Sequence, residues 1–109
     1  MAQFDVHRNI GRQRDAIPYV VIVQSALFDN YRRRLVVPLV RQSGLGSIAA
    51  LRGSRINPVF TIEKTKLVLH PLELVSVPLD QLGQKAGSLH DHGAAITDAL
   101  GEVFTRSWG

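Results

Sequence analysis

At 109 residues the chain can build one modest core but not two, so a single domain over 1–109 is expected, and 45% hydrophobic against 20% charged residues excludes disorder. It has no cysteine, which excludes a disulfide framework and a thiolate metal site and fits a reducing cytoplasm; no apolar run reaches the ~18 residues of a membrane span and no basic-then-apolar signal opens the chain, so a soluble cytoplasmic protein is expected. The net charge of +4 is uneven, with eleven Lys/Arg against four Asp/Glu in residues 1–66 and two against five in residues 67–109. The first part would attract an acidic protein or a nucleic acid, unless its arginines are only a solvated face.

Gln3–His7 alternates as a short strand, with Phe4 and Val6 on one face. "RNIGRQRDAIP" breaks it. Tyr19–Gln24 is a run of β-branched and aromatic residues and reads as the best strand in the chain. "SALFDNYRRR" is a connection, and Leu35–Val40 is a further strand. Pro38 lacks an N–H, so this strand is expected at a sheet edge or with a bulge. Arg41–Arg55 holds three Gly, three Ser and three Arg, with a helical turn expected at Ser47–Leu51. Val59–Ile62 and Leu67–Leu69 flank the polar "EKTK" as a hairpin. Leu72–Leu79 alternates, with Leu72, Leu74 and Ser76 on one face. The tail then changes period. Ser88 and Asp91 have capping-box spacing, and Ile96, Ala99, Leu100, Val103, Phe104 and Ser107 share a helical face. Gly93 and Gly101 weaken that helix by roughly 1 kcal/mol each, so packing on the sheet must hold it. Trp108 lies four residues beyond Phe104 and extends the apolar stripe. A mainly β, antiparallel fold with a C-terminal helix follows.

Local chemistry is sparse. His90 and His92 are two apart and on a helix cannot share a metal, so no metal and no cofactor is expected. "SGLGS" (Ser43–Ser47) lacks the Lys-Ser/Thr ending of a phosphate loop and reads as flexible loop. No Ser–His–Asp or paired-carboxylate arrangement stands out. Arg8, Arg12 and Arg14, and Arg32, Arg33 and Arg34, would suit phosphate clamping or surface solubility equally.

The order of short motifs is more specific. Gln3, Phe4 and Val6; Val21, Val23, Gln24 and Ser25; Asp29, Arg33 and Arg34; Val37, Pro38 and Leu39; Pro58–Ile62; Ser76–Leu79; Leu82–Gly83; Ser88–Leu89; and Trp108–Gly109 together resemble the CcdB family of bacterial toxins across almost the whole chain. The resemblance implies an SH3-like antiparallel barrel or sheet of the CcdB/MazF type, assembled as a homodimer. It implies a toxin that binds the dimerisation domain of the gyrase A subunit, traps gyrase on cleaved DNA, and is neutralised by a CcdA-like antitoxin with a disordered tail. Such a toxin is an inhibitor and not an enzyme, with no direct sequence-specific nucleic-acid binding.

By the same resemblance Trp108 and Gly109 form the gyrase-contacting tip, joined by Gln24, Ser25, Leu27, Phe28 and Asp29. Leu27 and Phe28 in a polar connection suit an exposed interface patch; the other reading packs both under the helix as core. The antitoxin groove is placed at Arg8–Arg14, with Arg8, Arg12 and Arg14 as contacts, and at about Gly44–Arg55. The resemblance fails at the end. Relatives of this type close on Phe-Trp-Gly-Ile, whereas this sequence reads Ser107-Trp108-Gly109. Loss of a buried aliphatic contact typically costs ~1.5–3 kcal/mol, about ten- to a hundredfold in affinity. The missing residue leaves open a homologue that has lost gyrase poisoning, and the fold shared with MazF-type toxins, with arginines able to bind RNA, leaves open an endoribonuclease toxin of that type.

Overall fold

The structure, a computed structural model, describes residues 2–42 and 53–105, the side chain of Thr105 excepted. The β-branched and aromatic runs form strands and the tail forms a helix, as their periods dictate. In chain order these are β1 (Asp5–Asn9), β2 (Tyr19–Ile22), β3 (Arg33–Val40), β4 (Val59–Ile62), β5 (Thr65–Leu69), β6 (Val75–Pro78), β7 (Leu82–Ser88) and α1 (Gly93–Thr105), with single 3-10 turns between several of them. The strands make one antiparallel sheet in the order β4-β5-β3-β2-β1-β7, with β6 paired to β3 beside β5.

The sheet is curled. The β4–β5 hairpin turns on Glu63 and Lys64, both left-handed (φ 49° and 66°) as a two-residue hairpin requires. From that turn Glu63 reaches back across the sheet to accept from Tyr19 of β2 at 2.6 Å and from Arg8 of β1 at 2.7 Å. At the other extreme, the Ile62 side chain of β4 comes within 3.8 Å of where a Cβ on Gly87 of β7 would stand. The result is a half-barrel with the C-terminal helix laid on its concave face.

That face carries the main core. Val6, Val21, Val37, Leu39, Leu67 and Leu69 are fully buried beneath Ile96 and Ala99 of α1. Each such side chain contributes on the order of 1.5–3 kcal/mol through removal of apolar surface from water. Phe4 joins them by an unusual route. It lies just outside β1 in a left-handed conformation (φ 70°), which aims its ring at the start of α1. A Cβ on Gly93 would come within 2.6 Å of the Phe4 ring, so the helix begins there because glycine leaves room.

Several expectations shift. β1 starts at Asp5 and not Gln3, β2 ends at Ile22 and not Gln24, and β3 extends back to Arg33. Pro38 lies neither at an edge nor in a bulge; it pairs with Val20 in the interior strand β3. Its carbonyl accepts from His70 N–H at 3.1 Å, so its missing donor faces the gap where β3 passes from its β6 partner to its β5 partner. No ladder donor is required in that gap. Ser88 does not cap α1; its Oγ accepts from His90 N–H in the 3-10 turn before it. Phe104, expected on the core face, is 62% exposed. Strand β7 has no counterpart in the sequence pattern. The expected turn at Ser47–Leu51 lies outside the described residues.

Candidate functional site

At the start of β3 the same concave face is left open among the described residues, with Leu35 41% exposed. There the Ser25–Arg32 connection arches beside the start of β3 and β6. Ser25 starts a 3-10 turn at Ala26–Phe28, its Oγ accepting from Leu27 N–H at 3.2 Å. Gln24 ties both ends of the arch: its amide donates to the Phe28 carbonyl at 3.1 Å and accepts from Leu35 N–H at 3.1 Å. Arg34 is the central brace. Its buried guanidinium donates to the carbonyls of Tyr31 at 2.6 Å, Asp29 at 2.9 Å and Arg33 at 3.0 Å, and lies 3.8 Å from the Asp29 carboxylate. A buried cation is tolerated here because carbonyl oxygens replace its water.

With its backbone fixed this way, the arch turns its apolar side chains outward. Leu27 is 86% exposed and Phe28 50%, so neither packs under the helix as core. Phe28 stacks on Tyr31 with ring centres 6.1 Å apart. These two rings, Leu35, Gln24, Arg32, Arg33 and Ser76 line a groove of about 580 Å³. Arg33 crosses to β6, donating to Ser76 Oγ at 2.9 Å and to the Ser76 carbonyl at 2.7 Å. Among the described residues the groove lining therefore contains two arginines and no carboxylate or imidazole. Tyr31 and Leu35 are not site candidates in the sequence, and Ser76 enters there only through its strand face and the Ser76–Leu79 motif. Leu35 alone had a local signal, an apolar residue next to three arginines.

The expected antitoxin contacts do not gather at one place. Arg8 lies over the Tyr19 ring, 5.7 Å from its centre, and is ion-paired with Glu63 at 2.6 Å. The hydrogen bond that Tyr19 donates to Glu63 raises the phenol above its ordinary pKa, and burial adds to the shift. Arg14 bonds the Gly11 carbonyl at 3.2 Å within its own loop. Arg12 lines a second groove of about 770 Å³ on the convex face, whose floor includes Val20, Val36 and Pro38. The rim there is mixed in charge, with Arg12 beside Asp15, Glu73 and His70. Beyond the second long loop, Arg55 forks onto Asp98 at 2.7 Å and pairs with Glu102 at 3.0 Å, fastening the loop's end to α1. The hydrogen bond from Arg55 holds the Asp98 carboxyl below its usual range, and the arginine's charge reinforces it against desolvation. His92 packs against Phe60, ring centres 5.2 Å apart, while His90 is exposed beside Asp91. Ser43–Ser47, Gly44–Arg52, Trp108 and Gly109 lie outside the described residues.

Known structures share the fold. The Mycobacterium tuberculosis toxin MazF-mt6 superposes with a TM-score of 0.69 at 17% identity, covering 92% of this chain and 95% of that one. An endoribonuclease in complex with its cognate antitoxin, from a mycobacterial species, superposes with a TM-score of 0.73 at 14% identity, covering 100% and 99%. Among curated proteins, none matches the sequence. The CcdB protein family matches residues 3–106, a span that takes in the arch, the Arg34 brace, the curled sheet and the helix. The chain belongs to the CcdB family.

Proposed function

We propose that this member of a family of toxin–antitoxin toxins is a cytoplasmic, homodimeric gyrase poison acting as a single domain. It binds the dimerisation domain of the gyrase A subunit, holds the enzyme on cleaved DNA, and is neutralised by a CcdA-like antitoxin. The observation that carries this reading is the arch. It bears the family's Gln24, Ser25 and Asp29, and it is braced by a buried arginine while Leu27 and Phe28 stand in solvent. A rigid loop with outward apolar side chains suits binding, because little conformational freedom is lost on association. Gln24, Ser25, Leu27, Phe28 and Asp29 are assigned to gyrase with Trp108 and Gly109, and Arg8, Arg12 and Arg14 to the antitoxin. The separate positions of the three arginines favour an extended antitoxin segment that wraps the molecule over one seated in a single pocket.

Calorimetry with an isolated gyrase A dimerisation domain tests the assignment. Binding is expected, weakened at least about tenfold by Leu27→Ala or Trp108→Ala, the loss of a buried anchor being worth more than 1 kcal/mol. Absence of binding, with antitoxin binding intact, identifies a relative that has kept its neutralising partner but not gyrase. Cleavage of RNA by the purified protein replaces the reading with an endoribonuclease.

A further inference from the structure

We propose that the groove floored by Phe28, Tyr31 and Leu35 is a docking pocket for a single apolar side chain on a protein segment that carries a carboxylate beside it. The proposal rests on the protein-binding reading above and deepens it by stating which groups the partner presents.

Three observations support it. The floor is apolar and open, with Phe28 50%, Tyr31 66% and Leu35 41% exposed. Its shape is set before any partner arrives, since Gln24, Arg33 and Arg34 fix the backbone on both sides. Its polar lining is of one sign. Arg33 is partly committed to Ser76, but among the described residues the exposed Arg32 guanidinium has no partner and no acidic side chain lines the groove. The convex groove has acids and an arginine on the same rim and shows no such preference. An aromatic pair flanked by arginine is the composition in which interface energy concentrates, and an unopposed guanidinium selects a carboxylate. A free carboxylate alone would leave the floor wet; an apolar side chain alone would leave Arg32 unanswered. A segment with both satisfies both.

The test uses the whole protein and two capped tripeptides, acetyl-Glu-Leu-Glu-amide and acetyl-Lys-Leu-Lys-amide, followed by amide chemical shifts. The acidic peptide is expected to move Phe28, Tyr31, Leu35 and Ser76, with the basic one at least about tenfold weaker, as one opposed charge pair allows. Arg32→Glu is expected to reverse that preference, and Tyr31→Ala to weaken both peptides. Both side chains are exposed, and unchanged amides in β1 and β2 will verify that each variant is folded. Shifts indifferent to peptide charge, shifts confined to other residues, or no shifts at millimolar peptide overturn the proposal. So does a single-stranded oligonucleotide that moves these amides where the acidic peptide does not. So does a dependence of the same amides on protein concentration alone, which assigns the groove to a second copy of the chain. None of these outcomes depends on gyrase, so a failed gyrase titration and a failed docking pocket are told apart.

Discussion

The two ends of the concave face are built from the same strands and solve opposite problems. Under α1, the middle and end of β3 contribute Val37 and Leu39, fully buried against Ile96 and Ala99. At the start of the same strand, Leu35 faces the same way and is 41% exposed, and order comes from the Arg34 guanidinium on three carbonyls. One end is held by displaced water, the other by hydrogen bonds that leave hydrocarbon facing out. Core packing and interface display cannot share one set of side chains. The chain separates them along a single strand.

The sharpest way to break this contrast is to remove a side chain at each end. Leu39→Ala is expected to cost about 2–5 kcal/mol in urea unfolding, the range for a large core side chain replaced by a cavity. Arg34→Met keeps much of the side chain's length but leaves three carbonyls without their donor, and is expected to cost about 2–3 kcal/mol. It will also shift the amides of Phe28 and Tyr31, which Leu39→Ala will not move selectively. The two helix glycines sharpen the comparison. Gly93→Ala drives a methyl into the Phe4 ring and is expected to lower stability by about 1–3 kcal/mol. Gly101→Ala meets nothing within 4 Å and is expected to raise stability by about 0.5–1 kcal/mol. Tyr31→Ala, at the display end, is expected to change unfolding by no more than about 0.5 kcal/mol while weakening partner binding. The smallest effect is electrostatic. Asp98 is held below its ordinary value of 3.8 by Arg55, so the pair's contribution is complete above that value and disappears as pH falls through the lowered one. A small stability difference between the native protein and Arg55→Gln is expected at neutral pH, closing in acid; a difference that widens in acid contradicts the pairing.

Residues whose role is stated by their own period could be read from the sequence. Tyr19–Ile22 is marked by its unbroken β-branched and aromatic run, buried at every position, and the Ile96–Ala99 face by its helical spacing. Strand β7 carries no such mark. "LGQKAGS" has two glycines and one large apolar residue, and it is a strand because β1 supplies a ladder, with two register irregularities, for it to pair with. The same limit applies to the site. Leu27 and Phe28 could be suspected because apolar residues in a polar connection are conspicuous. Arg34 could not be distinguished from Arg32 and Arg33, since three consecutive arginines look alike until the fold buries one and leaves two outside. Tyr31 and Ser76 are 45 positions apart and meet only through the β3–β6 pairing.

The curl has a consequence for how this protein meets others. A flat sheet exposes two rows of unpaired backbone donors and acceptors, and another chain can extend it by adding a strand there. In this sheet the outermost strands are turned toward one another, Ile62 of one reaching to Gly87 of the other. The two edges face each other without pairing, so a stranger's strand approaching either one meets side chains of the other. Recognition is thereby shifted to side chains on the two faces, where it is selective, and away from main-chain pairing, which any extended peptide can supply.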